Sequence, residues 1–220
     1  MTLSYPAKTA LLALAQPALR ANGWWYARFR APRSGDIRVH LGPGPDKYIP
    51  GWINVDANLL NRQFEVWADL RHPLPFRSHT LTAVYSHHVI EHLPDLAFHF
   101  REVHRCLRPG GIYRVGGPNG DMAIQKFVEN DKAWFTHFPV DRRSIGGRFE
   151  NFVFCGRDHL TILTYSFLEE LMTDAGFTDI RLCQPAKETG YPELFNDCLT
   201  REYEWDEEFP HTLLVEGRKA

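Results

Sequence analysis

The sequence has few cysteines, no strong excess of either charge and no long apolar run. No C-x-x-C pair occurs among Cys106, Cys155, Cys183 and Cys198, so neither a thiolate zinc site nor a disulfide framework is indicated. The formal net charge of −2 gives no reason to expect nucleic acid as a partner. The apolar run from Ala10 to Ala15 is too short for a membrane span or a signal peptide. We therefore expect a cytoplasmic protein.

Short apolar runs alternate with helical patterns, and 220 residues suffice for one α/β domain with a substantial core. Helical periodicity occurs at 94–107 and 165–175. Strand-like runs fall at 37–41, 52–55, 64–68, 81–86, 111–115, 177–183 and 211–217. This alternation predicts a Rossmann-like, doubly wound α/β sheet of about seven strands, mostly parallel. The polar stretch 184–210 lacks a clear helical period, which predicts that the final strand is antiparallel.

Residues 1–34 differ from the remainder, because they are rich in alanine and leucine and then aromatic and basic. We predict an N-terminal helical and aromatic extension over 1–34, followed by one domain over 35–220. A helix near 7–20 with an aromatic strap packed on the domain is the favoured interpretation. An arm that contacts a membrane surface or a partner protein stays open as the alternative.

The stretch 37–56 has the layout of a nucleoside-binding site. An apolar run ends at Leu41 and opens into Gly42-Pro43-Gly44, which lets the backbone approach a ligand closely. The next run ends at Asp56, which can accept hydrogen bonds from ribose hydroxyls. The dinucleotide fingerprint would need a small residue where Lys47 stands, and a longer spacing before the acidic residue. The short, proline-containing connection therefore favours an adenosine without phosphates.

The motifs from residue 37 onward resemble those of class I S-adenosylmethionine-dependent methyltransferases. VHLGPGP (39–45) resembles the first motif of that family, NVD (54–56) its ribose-binding position and ADLRHPLPF (68–76) its third-strand motif. TAVYSHHVIEHLPD (82–95) and REVHRCLRPGGIYRVGGPN (101–119) resemble the fourth strand, the following helix and the fifth strand. DHLTILTYSFLEELMTDAGFTDIR (158–181) and HTLLVEGRK (211–219) resemble the elements that close the fold. The resemblance is greatest to the small bacterial "type 11" group, whose substrates are often unassigned.

The resemblance implies S-adenosylmethionine as cofactor and S-adenosylhomocysteine as product. It assigns the methionine part and ribose to the first motif, the ribose hydroxyls to Asp56, the adenine edge to Asp69 and Leu70, and the methyl region to the end of the fourth strand. His40 stands where the family usually has a carboxylate that helps to hold the ammonium group of the ligand. The implied cofactor-binding residues are His40, Leu41, Gly42, Pro43, Gly44, Asp56, Ala57, Asp69, Leu70, Ser86 and His87.

The sequence indicates the residues that would bind or deprotonate the methyl acceptor less clearly than it indicates the cofactor residues. His88 and His159 are the candidate proton acceptors, because imidazole titrates near neutrality. An insertion at about 134–157 would form a lid on the acceptor side, with Arg142, Arg143 and Arg157 available to an anionic acceptor. The spacing of His88, Glu91 and His92 also suits a metal, but the resemblance favours a structural start to the following helix. No metal is therefore predicted.

We predict a methyltransferase that acts on an O, N or C nucleophile of a small molecule, such as an anionic metabolite or glycan. Two alternatives stay open. One is another nucleotide-dependent enzyme on the same sheet, such as an NAD-dependent one. The other is a non-catalytic module that binds the cofactor or a protein partner, since fold alone does not settle function.

Overall fold

The computed structural model describes residues 5–58 and 63–220, and within them the chain forms seven strands and six α-helices around one sheet. The strands are β1 (Arg38–Leu41), β2 (Ile53–Asp56), β3 (Val66–Trp67), β4 (Leu81–His87), β5 (Leu107–Pro118), β6 (Phe177–Cys183) and β7 (Thr212–Lys219). The helices are α1 (Tyr5–Trp25), α2 (Leu96–Cys106), α3 (Gly120–Val128), α4 (Ile145–Phe154), α5 (Tyr165–Ala175) and α6 (Pro192–Leu199).

The strand order is β3-β2-β1-β4-β5-β7-β6. Strands β3 to β5 pair in parallel, and β7 pairs antiparallel with both β5 and β6. The predicted mostly parallel sheet with an antiparallel final strand is therefore confirmed. The polar stretch 184–210 nevertheless contains α6, whose Phe195 and Cys198 are buried. This helix is only eight residues long, so its apolar period is too brief to stand out in the sequence.

The ends of the central helices follow from local chemistry. The side chain of Asp95 accepts a hydrogen bond from the backbone N–H of Phe98 at 2.8 Å and so caps α2. Thr164 caps α5 in the same way, and that helix stops at Gly176, whose φ of 96° is in the left-handed region. Both helices bury their apolar stripes against the sheet.

Helix α1 lies against the β3 edge of the sheet. Leu19 is buried, and the side-chain amide of Asn22 donates to the carbonyl of Trp67 at 2.7 Å. The following aromatic residues Trp24, Trp25 and Phe29 remain exposed. No helix in the described part of the chain has the length and apolar character needed to cross a membrane.

One face of the sheet buries a complete ionic cluster. The guanidinium of Arg114, on β5, donates to both carboxylate oxygens of Glu202 at 2.7 Å and to Oε1 of Glu216 at 2.5 Å. All three side chains are fully buried. Burial alone would lower the pKa of Arg114, but the two carboxylates outweigh it and raise the pKa above its ordinary value. The cluster connects β5, β7 and the segment after α6.

We expect Arg114→Met to lower the free energy of unfolding by about 3–5 kcal/mol, because it leaves two buried carboxylates without their cation. The matched control is Arg218→Met on β7, whose guanidinium is half exposed and 3.7 Å from Asp179. That change should cost less than about 1 kcal/mol. Urea unfolding followed by circular dichroism measures both. Equal losses in the two variants would show that the buried cluster contributes nothing beyond a surface pair.

Candidate functional site

A cleft of about 490 Å³ opens where the parallel strands end. The turn after β1, the end of β2, the loop after β3, the turn after β4 and the segment 158–160 form its walls. Its lining residues are Gly42, Val55, Asp56, Ala57, Asp69, Leu70, Arg71, His88, Val89, His92, Leu93, Pro94, Asp158 and Leu160. Open α/β sheets bind ligands at this edge, where neighbouring connections diverge.

Gly42 packs closely against the turn after β4. Its φ is 69°, and its N–H donates to the carbonyl of Val55 at 2.9 Å. A Cβ atom at this position would lie 2.4 Å from Cγ2 of Val89, in the turn after β4. Both the backbone conformation and the available space therefore require glycine.

Asp56 is fixed at the end of β2 by two backbone groups. Its Oδ2 accepts from the N–H of Gly44 at 3.2 Å, and its Oδ1 accepts from the N–H of Asn58 at 2.8 Å. The first of these bonds connects the turn after β1 to the end of β2. The carboxylate is thereby oriented at the wall of the cleft.

Asp69 lies at another wall of the cleft, in the loop after β3. Arg71 forms an ion pair with it at 2.7 Å, and the side-chain amide of Gln16 on α1 donates to the same carboxylate. Burial acts to raise the pKa of Asp69, but the hydrogen bonds from Arg71 and Gln16 leave it below its ordinary value. Sequence reasoning missed Arg71, although its position two residues after Asp69 was a usable signal.

The structure brings five of the predicted cofactor residues to the cleft, namely Gly42, Asp56, Ala57, Asp69 and Leu70. Gly44 does not line the cleft, but its N–H donates to the lining residue Asp56. The side chains of His40, Leu41, Ser86 and His87 are buried in the sheet, and Pro43 is also buried. None of these five lines the cleft.

His40 faces away from the cleft because it alternates with the core residues Val39 and Leu41 along β1. Its Nδ1 lies 3.0 Å from Oδ1 of Asn54, and an amide oxygen only accepts, so Nδ1 carries the hydrogen. Its ring contacts that of Tyr85, with centroids 5.0 Å apart. Burial lowers the pKa of His40 to about 4, against the opposing effect of the Asn54 hydrogen bond.

His87, the last residue of β4, is also buried and neutral. Its Nδ1 lies 2.9 Å from the ammonium nitrogen of Lys47. Burial lowers the pKa of His87 well below its ordinary value, and His88 and Lys47 lower it further. Burial likewise lowers the pKa of Lys47.

The two candidate proton acceptors both lie near a third residue, Glu91. His88 lines the cleft, with Nδ1 3.4 Å from Oε1 of Glu91 and Nε2 3.2 Å from the hydroxyl of Thr212. His159 lies between the lining residues Asp158 and Leu160, and burial lowers its pKa. The N–H of Leu160 donates to the carbonyl of Glu91 at 2.7 Å, which holds this segment against the turn after β4.

The arginines predicted to bind the acceptor are exposed, and none lines the cleft. They are Arg142, Arg143 and Arg157. The aromatic residues of the same segment instead form a small apolar cluster of their own. Trp134 stacks on His211, the residue just before β7, with ring centroids 4.2 Å apart. Sequence reasoning found the composition of this segment but not the direction of its side chains.

We expect Gly42→Ala to lower the free energy of unfolding more than Gly44→Ala. Both sites have positive φ, which costs an alanine about 1–2 kcal/mol, but a Cβ at Gly44 meets nothing within 4 Å. The contact with Val89 adds about 1–3 kcal/mol for Gly42→Ala alone. Chemical unfolding of both variants measures the difference. Adding Val89→Ala should remove the excess, and an excess that persists would place its cause elsewhere.

We expect His40→Asn to flatten the pH dependence of stability between about pH 4 and 6.5. The folded pKa is depressed to about 4, so in this window the unfolded chain binds the extra proton and stability falls as the pH falls. Asparagine keeps a donor toward Asn54 but cannot titrate. The slope should drop by up to about 1.4 kcal/mol per pH unit. Unfolding at a series of pH values measures it, with the exposed His137→Asn as control; equal slopes would contradict the assignment of His40 as a buried neutral imidazole.

Comparison with known proteins gives a family match and several structural relatives. Residues 52–115 match the family model described as a methyltransferase domain. A search of curated protein sequences found no match. The matched segment contains Asp56, Asp69 and the turn after β4.

Solved structures share the fold across almost the whole chain. A Thermotoga maritima protein, described as an S-adenosylmethionine-dependent methyltransferase and possible histamine N-methyltransferase, superposes with a TM-score of 0.54 at 14% identity, covering 97% of this chain and 95% of its own. An S-adenosylmethionine-dependent methyltransferase from Mesorhizobium loti gives 0.51 at 18% identity, with coverage of 93% and 97%. Haemonchus contortus phosphoethanolamine N-methyltransferase 2, solved with phosphomonomethylethanolamine and S-adenosylhomocysteine, gives 0.54 at 14% identity, with coverage of 99% and 60%.

At these identities the solved structures establish the fold, and the family match covers residues 52–115. Residues 52–115 therefore match a methyltransferase domain, and the chain as a whole shares its fold with solved S-adenosylmethionine-dependent methyltransferases.

Proposed function

We propose that the protein transfers a methyl group from S-adenosylmethionine to an O, N or C nucleophile of a small molecule. The observation that carries the proposal is the placement of Asp56 in the cleft. Its carboxylate stands at the end of β2, hydrogen-bonded to the glycine turn after β1, in the position from which a carboxylate accepts ribose hydroxyls.

The cleft offers a place for each part of the cofactor. The turn at Gly42 would lie beside the methionine part of the cofactor. Asp56 would accept hydrogen bonds from the ribose hydroxyls, and Asp69 with the backbone of Leu70 would face the adenine edge. No helix forms anywhere in residues 42–52, all of which the structure describes. A pyrophosphate is usually held at a helix N-terminus, so this connection supports a nucleoside without phosphates and counts against an NAD-type ligand.

Methyl transfer requires mainly that the acceptor atom, the methyl carbon and the sulfur are aligned. A lone pair of the acceptor attacks the methyl carbon, the carbon–sulfur bond breaks with its electrons going to sulfur, and S-adenosylhomocysteine leaves. Holding the partners in line and excluding water can supply ~7–11 kcal/mol of the barrier. When the nucleophile carries a proton, His88 is the proposed acceptor, because it lines the cleft and its ring lies between Glu91 and Thr212. His159 is the second candidate, and its ring lies beside that of His92.

The proposed acceptor class is an anionic metabolite or glycan. Arg157 precedes the lining residue Asp158 directly, and Arg142 and Arg143 precede the same segment's helix α4. Guanidinium groups suit carboxylates and phosphates, which they bind with two parallel hydrogen bonds, and the exposed side chains of these arginines leave them available to such an acceptor.

We expect Asp56→Asn to weaken the binding of S-adenosylmethionine and S-adenosylhomocysteine by about 10- to 100-fold, since hydrogen bonds to a charged group are worth roughly 1.5–3 kcal/mol. Isothermal titration of the purified protein measures both ligands. Asp197→Asn, an exposed carboxylate on α6, is the matched control and should bind as the wild type does. Thermal melting of each variant checks that the fold persists.

The two outcomes separate the proposal from its alternatives. Binding that is lost in Asp56→Asn supports the cofactor assignment, and release of S-adenosylhomocysteine with an anionic acceptor panel then supports transfer. Saturable binding without release from any O, N or C acceptor would favour a non-catalytic binding module. A folded wild-type protein that binds neither ligand would overturn the proposal.

A further inference from the structure

We propose that Glu91, His92 and His159 form a binding site for a divalent transition-metal ion, of the kind that zinc represents, next to the cleft. Glu91 and His92 belong to the 3₁₀ turn Ile90–His92 that follows β4. His159 comes from the segment between α4 and α5, 67 residues farther along the chain. The proposal concerns ion binding and does not depend on methyl transfer.

The central observation is the carboxylate of Glu91. Its side chain is 1% exposed, and neither oxygen has a hydrogen-bond partner among the described residues. A carboxylate removed from water in this way is costly unless a cation accompanies it. Two imidazoles lie near it, with Nδ1 of His88 at 3.4 Å and Nε2 of His92 at 3.8 Å from Oε1.

The potential ligand atoms of the three side chains lie close together. One atom from each of Glu91, His92 and His159 lies within 4.8 Å of the others, close enough for a single ion to contact all three. The rings of His92 and His159 have centroids 5.0 Å apart. Two imidazoles and a carboxylate are a donor set that suits zinc and its neighbours among the transition metals more than magnesium.

Both histidines are oriented as metal ligands commonly are. Nδ1 of His92 lies 2.8 Å from the carbonyl oxygen of Asp158, and Nδ1 of His159 lies 3.0 Å from that of Val153. A carbonyl oxygen only accepts, so each Nδ1 carries the hydrogen and each Nε2 keeps its lone pair. Backbone carbonyls that fix the tautomer in this way are a regular feature of histidine-rich metal sites.

A backbone hydrogen bond holds the turn Ile90–His92 and the segment 158–160 together without an ion. The N–H of Leu160 donates to the carbonyl of Glu91 at 2.7 Å, which fixes the segment 158–160 against the turn after β4. His92, Asp158 and Leu160 also line the cleft, so the site borders the space assigned to the cofactor and acceptor. The sequence pattern favours a structural role for Glu91 and His92, and the structure adds His159 as a third donor that the pattern does not include.

A protonated imidazole is the rival explanation for the buried carboxylate. Burial acts to raise the pKa of Glu91, but the contacts with His88 and His92 leave that pKa below its ordinary value. In that arrangement His88 or His92 would carry the positive charge, and the pair would not need an ion. The two explanations differ in a single measurable property, which is stoichiometric binding of a metal.

The test uses the full chain, stripped with a chelator and titrated with Zn²⁺ by calorimetry and with Co²⁺ by visible absorption. We expect one ion per chain and a Co²⁺ spectrum that reports nitrogen ligands. Glu91→Gln and His159→Ala should each weaken binding by more than about 100-fold, beyond what the loss of an outer partner of a ligand costs. Mg²⁺ should bind far more weakly than Zn²⁺.

His137→Ala is the matched control, because His137 is an exposed histidine that pairs with Asp141 outside the cluster. It should bind Zn²⁺ as the wild type does. Melting curves without metal establish that each variant is folded, and His159→Ala keeps the test valid if Glu91→Gln does not fold. Absence of saturable binding to the wild type, or equal binding in wild type and His159→Ala, would overturn the proposal in favour of the protonated imidazole.

Discussion

The parallel pairing of β1 with β2 on one side and β4 on the other is the constraint on which the site depends. Leu41, the last residue of β1, pairs with Val55 and with Ser86, so the three strands end almost level. The turns that follow them therefore meet at one edge of the sheet. This is why Gly42 approaches Val89 so closely, and why Asp56 can accept a hydrogen bond from the turn after β1.

The fold contains two sets of buried carboxylates that differ in the partners of their negative charge. Glu202 and Glu216 receive strong hydrogen bonds from Arg114, so the ionic cluster is complete within the chain and serves to connect elements. Glu91 is equally buried but has neighbouring imidazoles rather than a guanidinium, and no hydrogen bond reaches its oxygens from the described residues. The first arrangement needs nothing from outside. The second is the one that would gain from a bound cation, because imidazole nitrogens can share their lone pairs with a metal.

The parts of the fold that follow from local patterns were predictable from the sequence. Alternating apolar runs located all seven strands, and the bounds of α5 follow from Thr164 and Gly176. The cleft residues Gly42, Asp56 and Asp69 lie in contiguous motifs, so they too could be found. The contact between Glu91 and His159 could not, because it depends on how the segment after α4 returns to β4. The exposure of the arginines around α4 was equally hidden, since it depends on how this segment packs on the domain.

His40 shows that a residue can occupy a motif position while its side chain points away from the cleft. Alternation along β1 already indicates that His40 and its neighbours Val39 and Leu41 point to opposite faces. The structure places the His40 ring against Tyr85 and Asn54, away from the cleft. A carboxylate there would need a cation or several donors in a buried environment that supplies one amide oxygen, whereas a neutral imidazole donates to that oxygen directly. The identity of residue 40 is thus explained by the interior of the sheet.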